Sequence, residues 1–196
     1  MIKTREDYLT AAAAIICDEL FGPCVAMPAP RYRVSLTAPK TIGNGTIMGE
    51  CWNKAASADG FIEIFITAQL GATDTHEVLS VLTHELAHAY DNNENGHSGY
   101  FIDLCKAVGL AGGPTNKAAA SFTATVPTPK LTEYFTDLIE NAETGLGEFP
   151  HGALTPSLSG KKPQKNRQLK VSCDSCDFKF RASQKTIDSI QHFDCL

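Results

Sequence analysis

Thr83-His84-Glu85-Leu86-Ala87-His88 sets two histidines four residues apart with an acid between them, and His97 follows nine residues later. On a helix, His84 and His88 stand one turn apart on one face, so both imidazoles can reach a single ion at about 2.0–2.1 Å. Glu85 falls about 100° round the same helix. A carboxylate there is placed to take a proton from water activated by a metal rather than to bind the metal itself. Three protein ligands leave one coordination position open, which is how a zinc ion that does chemistry differs from one that only holds a fold.

Such a pair of ligands needs a packed helix to carry it. Counting about 100° per residue from His84, the residues Val78, Leu79, Leu82, Leu86 and Ala89 gather on the opposite side. Asp74 or Thr75 offers an N-cap, and Glu77 puts negative charge in the first turn, where the helix dipole favours it. The polar run from Asp91 to Gly96 predicts a turn that swings His97 back to the metal. Asp91, Asn93, Asn95 and Gly96 also match the opening of a calcium loop, but Ile102 stands where the bidentate glutamate belongs. Glu133 and Glu140, on a later helix, are the alternatives to His97 as third ligand. Glu94 has the spacing that another zinc-protease class gives its third histidine, yet Asp91 occupies the glycine position that class needs.

The remaining chain supplies scaffold. Thr4 to Leu20 predicts a first helix, with Thr4 and Asp7 forming a capping box. Arg31–Thr37, Thr46–Trp52 and Phe61–Thr67 predict three strands of one antiparallel sheet beneath the metal helix, an edge of which could hold a substrate in extended form. Ser98–Leu110 predicts a helix with Phe101, Leu104 and Val108 as its apolar stripe, stopped by Gly112-Gly113-Pro114, and Leu131–Ala142 predicts another. Tyr90 and Tyr100 are near enough in sequence to stabilise an oxyanion, and nothing selects either.

Net charge is −5 over 196 residues, unevenly spread. Residues 1–154 hold nine Lys/Arg against eighteen Asp/Glu, a balance of −9, whereas 155–196 hold eight against four, a balance of +4. The expected organisation is a domain over 1–154, a basic linker over 155–168 and a small unit over 169–196. A basic tail on an acidic body suggests a polyanionic partner, with nucleic acid the usual case. Seven cysteines, four scattered and three bunched at 173, 176 and 195, are no secreted disulfide framework. Cys173-Asp174-Ser175-Cys176 and His192-Phe193-Asp194-Cys195 instead form two matched pairs that could close a structural zinc site, on which so short a unit would depend to fold. No apolar run reaches the length of a membrane span, and the N-terminus reads as a capped helix rather than a signal peptide, so a cytoplasmic protein is expected.

His84-Glu85-Leu86-Ala87-His88 with His97 and Phe101, together with Cys51-Trp52-Asn53, Ala58-Asp59-Gly60, Asn93-Glu94-Asn95-Gly96-His97 and the C-terminal knuckle, resembles the SprT-like (Spartan-related) zinc metalloprotease family, of the kind encoded by bacteriophages and actinobacteria. The resemblance implies an α+β, minimal zincin-like domain with a C-terminal zinc ribbon. It implies one catalytic zinc on His84, His88 and His97, with Glu85 as the base, and one structural zinc on Cys173, Cys176, His192 and Cys195. Relatives commonly carry cysteines at the second knuckle, where this chain has His192 and Cys195. The expected activity is zinc-dependent endopeptidase, directed to DNA-associated proteins, in the cytoplasm, or the host cytoplasm for a phage-encoded chain. Two other functions fit the same motifs: a non-catalytic, zinc-stabilised nucleic-acid adaptor, and a processing or host-takeover protease that binds no nucleic acid. Neither oligomeric state nor cleavage preference is legible.

Overall fold

The computed structural model describes residues 2, 4–38, 40–42, 45–68, 70, 74–115, 118, 120–141, 143, 146–150, 168–173, 176 and 178–189, with only the backbone of 40–42 and 45–46. The chain divides into two compact units, Met1–Thr155 and Pro156–Leu196. It is an α+β protein, as its motifs predict.

In the first unit, helix α1 (Arg5–Ile16) opens on a complete capping box between Thr4 and Asp7. It runs into a π-helical turn, Cys17–Phe21, instead of continuing as a regular helix to Leu20. Strand β1 (Tyr32–Thr37) is followed by a short hairpin, β2 (Lys40–Ile42) and β3 (Gly45–Ile47), and then β4 (Gly49–Trp52). The predicted strand Thr46–Trp52 is therefore two strands broken at Met48. Strand β5 (Ile62–Thr67) lies in the middle of a three-stranded sheet, order β1-β5-β4.

That sheet is mixed, which corrects the expectation of an all-antiparallel one: β4 pairs antiparallel with β5, but β1 pairs parallel to it, Tyr32 opposite Ile62 through Thr37 opposite Thr67. The reason lies in β5. With Ile62, Ile64 and Ile66 all buried, it gains most from two neighbours and takes the centre. The chain reverses between β1 and β4 and again between β4 and β5, so a central β5 must run in the direction of β1.

Helix α2 (Thr75–Tyr90), capped by the Asp74 side chain, packs on β4 and β5. Val78, Leu79, Leu82 and Leu86 are fully buried against the core. Its start is anchored from the far end of the unit: Phe149 N–H donates to Thr75 Oγ1 at 3.1 Å, Thr75 Oγ1 bonds the Glu148 carboxylate, and Tyr8 Oη donates to Gly147 O at 3.1 Å. Helix α3 (Tyr100–Ala107) follows the polar turn. Then comes a hairpin that helix-stop signals alone did not reveal, β6 (Leu110–Gly113) and β7 (Ser121–Pro127), and helix α4 (Pro129–Glu140) with Thr128 as its cap. Helix α4 buries Leu131, Phe135 and Leu138.

The second unit contains an antiparallel hairpin, β8 (Leu169–Ser172) and β9 (Lys179–Ala182), and a short helix α5 (Gln184–Ser189). Cys173 N–H donates to Phe178 O at 3.0 Å, extending the hairpin toward its turn. Among the described residues, no helix is long and apolar enough to cross a membrane.

Candidate metal centre

Helix α2 is buried nearly all round, including its ligand face: His84, Glu85 and His88 are buried, though less completely than the leucines behind them. The sequence pattern made that face polar, and tertiary structure covers it with β4, α3 and β7. The turn after the helix is built as expected. Asn92 and Asn93 adopt positive φ of 50° and 56°, Gly96 and Gly99 follow at 56° and 52°, and the chain doubles back. His97 thereby joins His84 and His88, their ligand atoms all lying within 4.8 Å of one another.

The spacing fits a metal. His88 Nε2 and His97 Nε2 are 3.2 Å apart, and two nitrogens on one tetrahedral zinc at 2.0–2.1 Å would be separated by about 3.3–3.4 Å. His84 donates or accepts through Nδ1 with Thr125 Oγ1 at 3.0 Å, which turns its Nε2 toward the other two. A hydrogen bond at the remote ring nitrogen is how proteins commonly fix the orientation and tautomer of a ligating imidazole. Among the described residues His88 has no such partner: its Nδ1 is buried and without a hydrogen bond, and its ring is held instead by stacking on Phe101 at 4.0 Å between centroids. Phe101, itself fully buried, also meets His84 at 5.2 Å and His97 at 5.3 Å, so one ring supports all three imidazoles.

Electrostatics favour the same use. Burial, and then the neighbouring histidines, hold His84 down to about 3. Burial and His97 hold His88 down to about 4, and burial also lowers His97. Each shift favours the uncharged ring, the form whose lone pair metal binding requires.

Glu85 is enclosed beside them, with the Cys51 and Cys105 thiols close enough for its carboxylate to add to the burial that raises both. Burial, with the Glu50 carboxylate adding to it, pushes Glu85 up to about 8. The space it occupies exists because residue 49 is glycine: a Cβ there would sit 2.5 Å from Glu85 Oε1 and 2.7 Å from its Cγ. Glu85 and the three histidines line a cleft of 950 Å³, bounded by residues 47–52 on one side and 123–127 on the other.

Comparison with protein-family models, with curated proteins and with solved structures finds no match. The functional reading therefore rests on the site itself.

Of the other residues singled out by sequence, Glu133, Glu140 and Glu94 are exposed and none lines the cleft. Glu94 instead accepts from Asn92 Nδ2 at 2.9 Å. The would-be calcium loop is tied to itself, the Asp91 carboxylate accepting from the backbone and side-chain nitrogens of Asn95 at 2.8 and 2.5 Å. Tyr90 is stacked in the core on Phe21 at 4.5 Å, and Tyr100 is exposed; neither lines the cleft. In the second unit Cys173 is half-buried and Cys176 exposed, while His192 and Cys195 lie outside the described residues. Sequence reasoning missed Thr125 and Gly49. The β-branched and aromatic content of Phe122, Thr123, Thr125 and Val126 was a usable strand signal, and a lone glycine in a strand-like run signals close approach of another group.

Proposed function

We propose that this chain is a zinc-dependent endopeptidase of the SprT-like kind, with a minimal zincin-like domain and a C-terminal zinc ribbon. One observation carries the reading: three imidazoles converge at the wall of an open cleft with the acid Glu85 seated beside them. His84, His88 and His97 would hold the ion, and all-nitrogen donors with room for a fourth ligand suit zinc. Zinc bound there would supply Lewis acidity, polarising a peptide carbonyl and making water acidic enough to deprotonate near neutral pH. Burial alone favours the protonated Glu85 carboxyl; the positive charge of an ion held by the histidines would favour its carboxylate, and Glu85 would then take a proton from water and return it to the departing amine. Thr125 keeps His84 aimed. Strand β4 is an edge of its sheet, and its outward main-chain groups would pair with a substrate in extended form.

A purely structural site has no use for a base in the cleft, which argues against an adaptor whose metals only stabilise it. For the partner, the β8–β9 register supports DNA: Lys170 lies directly opposite Arg181, both are exposed, and neither has an ion pair among the described residues. Like charges across a ladder destabilise it, a cost that a phosphate backbone would offset. Cys173 and Cys176, with His192 and Cys195, are the proposed ligands of the structural zinc, and the cytoplasm, or that of a phage's host, is the proposed location.

The test is cleavage of an unfolded protein by the full chain, with and without single-stranded DNA, alongside zinc content, for wild type and Glu85→Gln. The variant should keep its zinc and lose cleavage by at least about 10²-fold. Equal cleavage by both would remove the proposed mechanism, and stimulation absent with DNA would remove the partner.

A further inference from the structure

Asn93 joins three parts of the site that the sequence keeps apart. Its backbone N–H donates to His88 O at 2.8 Å, closing the end of α2. This requires a left-handed backbone, φ 56°, which asparagine tolerates better than other residues with a Cβ. Its side-chain amide then reaches across to β4, Nδ2 donating to Cys51 O at 2.7 Å. Four residues later in the same turn comes His97.

The strand register shows which groups the edge of β4 presents. Thr67 N–H donates to Met48 O at 2.9 Å, and Gly49 is opposite Ile66 and Cys51 opposite Ile64. In an antiparallel ladder the bonded direction alternates, so Glu50 and Trp52 point their backbone groups into the sheet, while Gly49 and Cys51 point theirs outward. Those outward groups are the N–H and C=O of Gly49 and of Cys51. Asn93 occupies the last of them, the Cys51 carbonyl. A peptide added to this edge can exchange both bonds with Gly49 and accept one from Cys51 N–H, and there the ladder ends.

We propose that Asn93 is a positioning residue that caps the β4 edge, so that a bound peptide is registered on Gly49, the residue whose missing side chain admits Glu85. The amide also sets the height of β4 over the His88 end of α2, because the same residue holds both. The inference rests on the peptidase reading above and adds to it the register in which the substrate lies.

Two variants separate the side chain from the backbone. Asn93→Gly keeps the left-handed conformation and deletes the amide. Asn93→Asp keeps shape and conformation and replaces the donor with an acceptor facing a carbonyl. Both are compared with wild type, zinc-loaded and as the full chain, by zinc affinity, by amide hydrogen exchange of Glu50 and Trp52, and by KM, kcat and the map of cleavage sites in an unfolded protein. Loss of the hydrogen bond from the Asn93 amide to Cys51 O should speed exchange at Glu50 and Trp52 by about tenfold, raise KM by a similar factor with kcat changed less, and add new cleavage sites as the register loosens. Zinc affinity should change by less than about twofold, since the amide touches no ligand nitrogen. An unchanged KM and cleavage map in both variants would overturn the proposal. Should wild type itself cleave nothing, the peptidase reading fails separately, and unaltered exchange at Glu50 and Trp52 would then overturn the cap on its own.

Discussion

Thr125→Val is the sharpest probe of the metal centre, because it removes one oxygen from behind one ligand and leaves the shape of the side chain. When His84 ligates through Nε2, its Nδ1 carries the proton and donates to Thr125 Oγ1, 3.0 Å away. Valine leaves that N–H in an enclosed site with no acceptor, a cost of about 1–3 kcal/mol. At about 1.4 kcal/mol per factor of ten, zinc affinity should fall by roughly 5- to 100-fold, the range expected for loss of an outer partner of a ligating histidine. The assay is competition for zinc with a chromophoric chelator, with thermal unfolding of the metal-free protein measured alongside. Cleavage should be depressed at limiting zinc and recover in excess, since Glu85 is untouched. An unaltered zinc affinity in a normally folded variant would refute the reasoning: either Thr125 does not aim His84, or His84 is not a ligand.

Gly49→Ala should disable Glu85 without touching a ligand, because the new Cβ falls 2.5 Å from its Oε1; cleavage should drop by at least about 10²-fold while zinc binding, read by the same competition, persists, and retained cleavage would show that the carboxylate does not need this seat. The pH dependence of stability in chelator follows from opposite shifts. Glu85 rises from 4.5 to about 8 on folding, so its contribution is present below pH 4.5 and is lost as pH climbs toward 8. His84 and His88 fall from 6.5 to about 3 and 4, so theirs is present above 6.5 and is lost as pH drops toward 3. Metal-free protein should be most stable between these limits, and Glu85→Gln should gain on wild type between pH 5 and pH 8 in denaturant titrations; a constant difference between the two would contradict the burial of an ionisable group there.

Much of the site was legible because its parts are local. Four-residue spacing puts His84 and His88 on one face of a helix in any fold that keeps the helix, and Asp74 and the leucine stripe ensured that it would be kept. The turn was legible too, since asparagine and glycine at 92, 93, 96 and 99 are the residues that accept positive φ. Strand direction was not. Alternation marks a strand but carries no information about which neighbour it finds, so the central place of β5, and with it the parallel pairing of β1, had to come from the packing of the whole sheet.

The sequence by itself determined the donor set: two histidines and an acid on one helix, and a third histidine on a turn short enough to return. Tertiary structure decided everything that makes those donors a site. It covered the polar face of α2 and favoured the uncharged imidazoles, brought Thr125 from β7 behind His84, 41 residues away in sequence, and set Gly49 against Glu85. It also tied Asn93 to Cys51 across 42 residues. Those contacts join segments whose separation is fixed only when the core closes, and burial, the largest cause of the shifts at His84, Glu85, His88 and His97, is a property of the closed core and of no single stretch of chain.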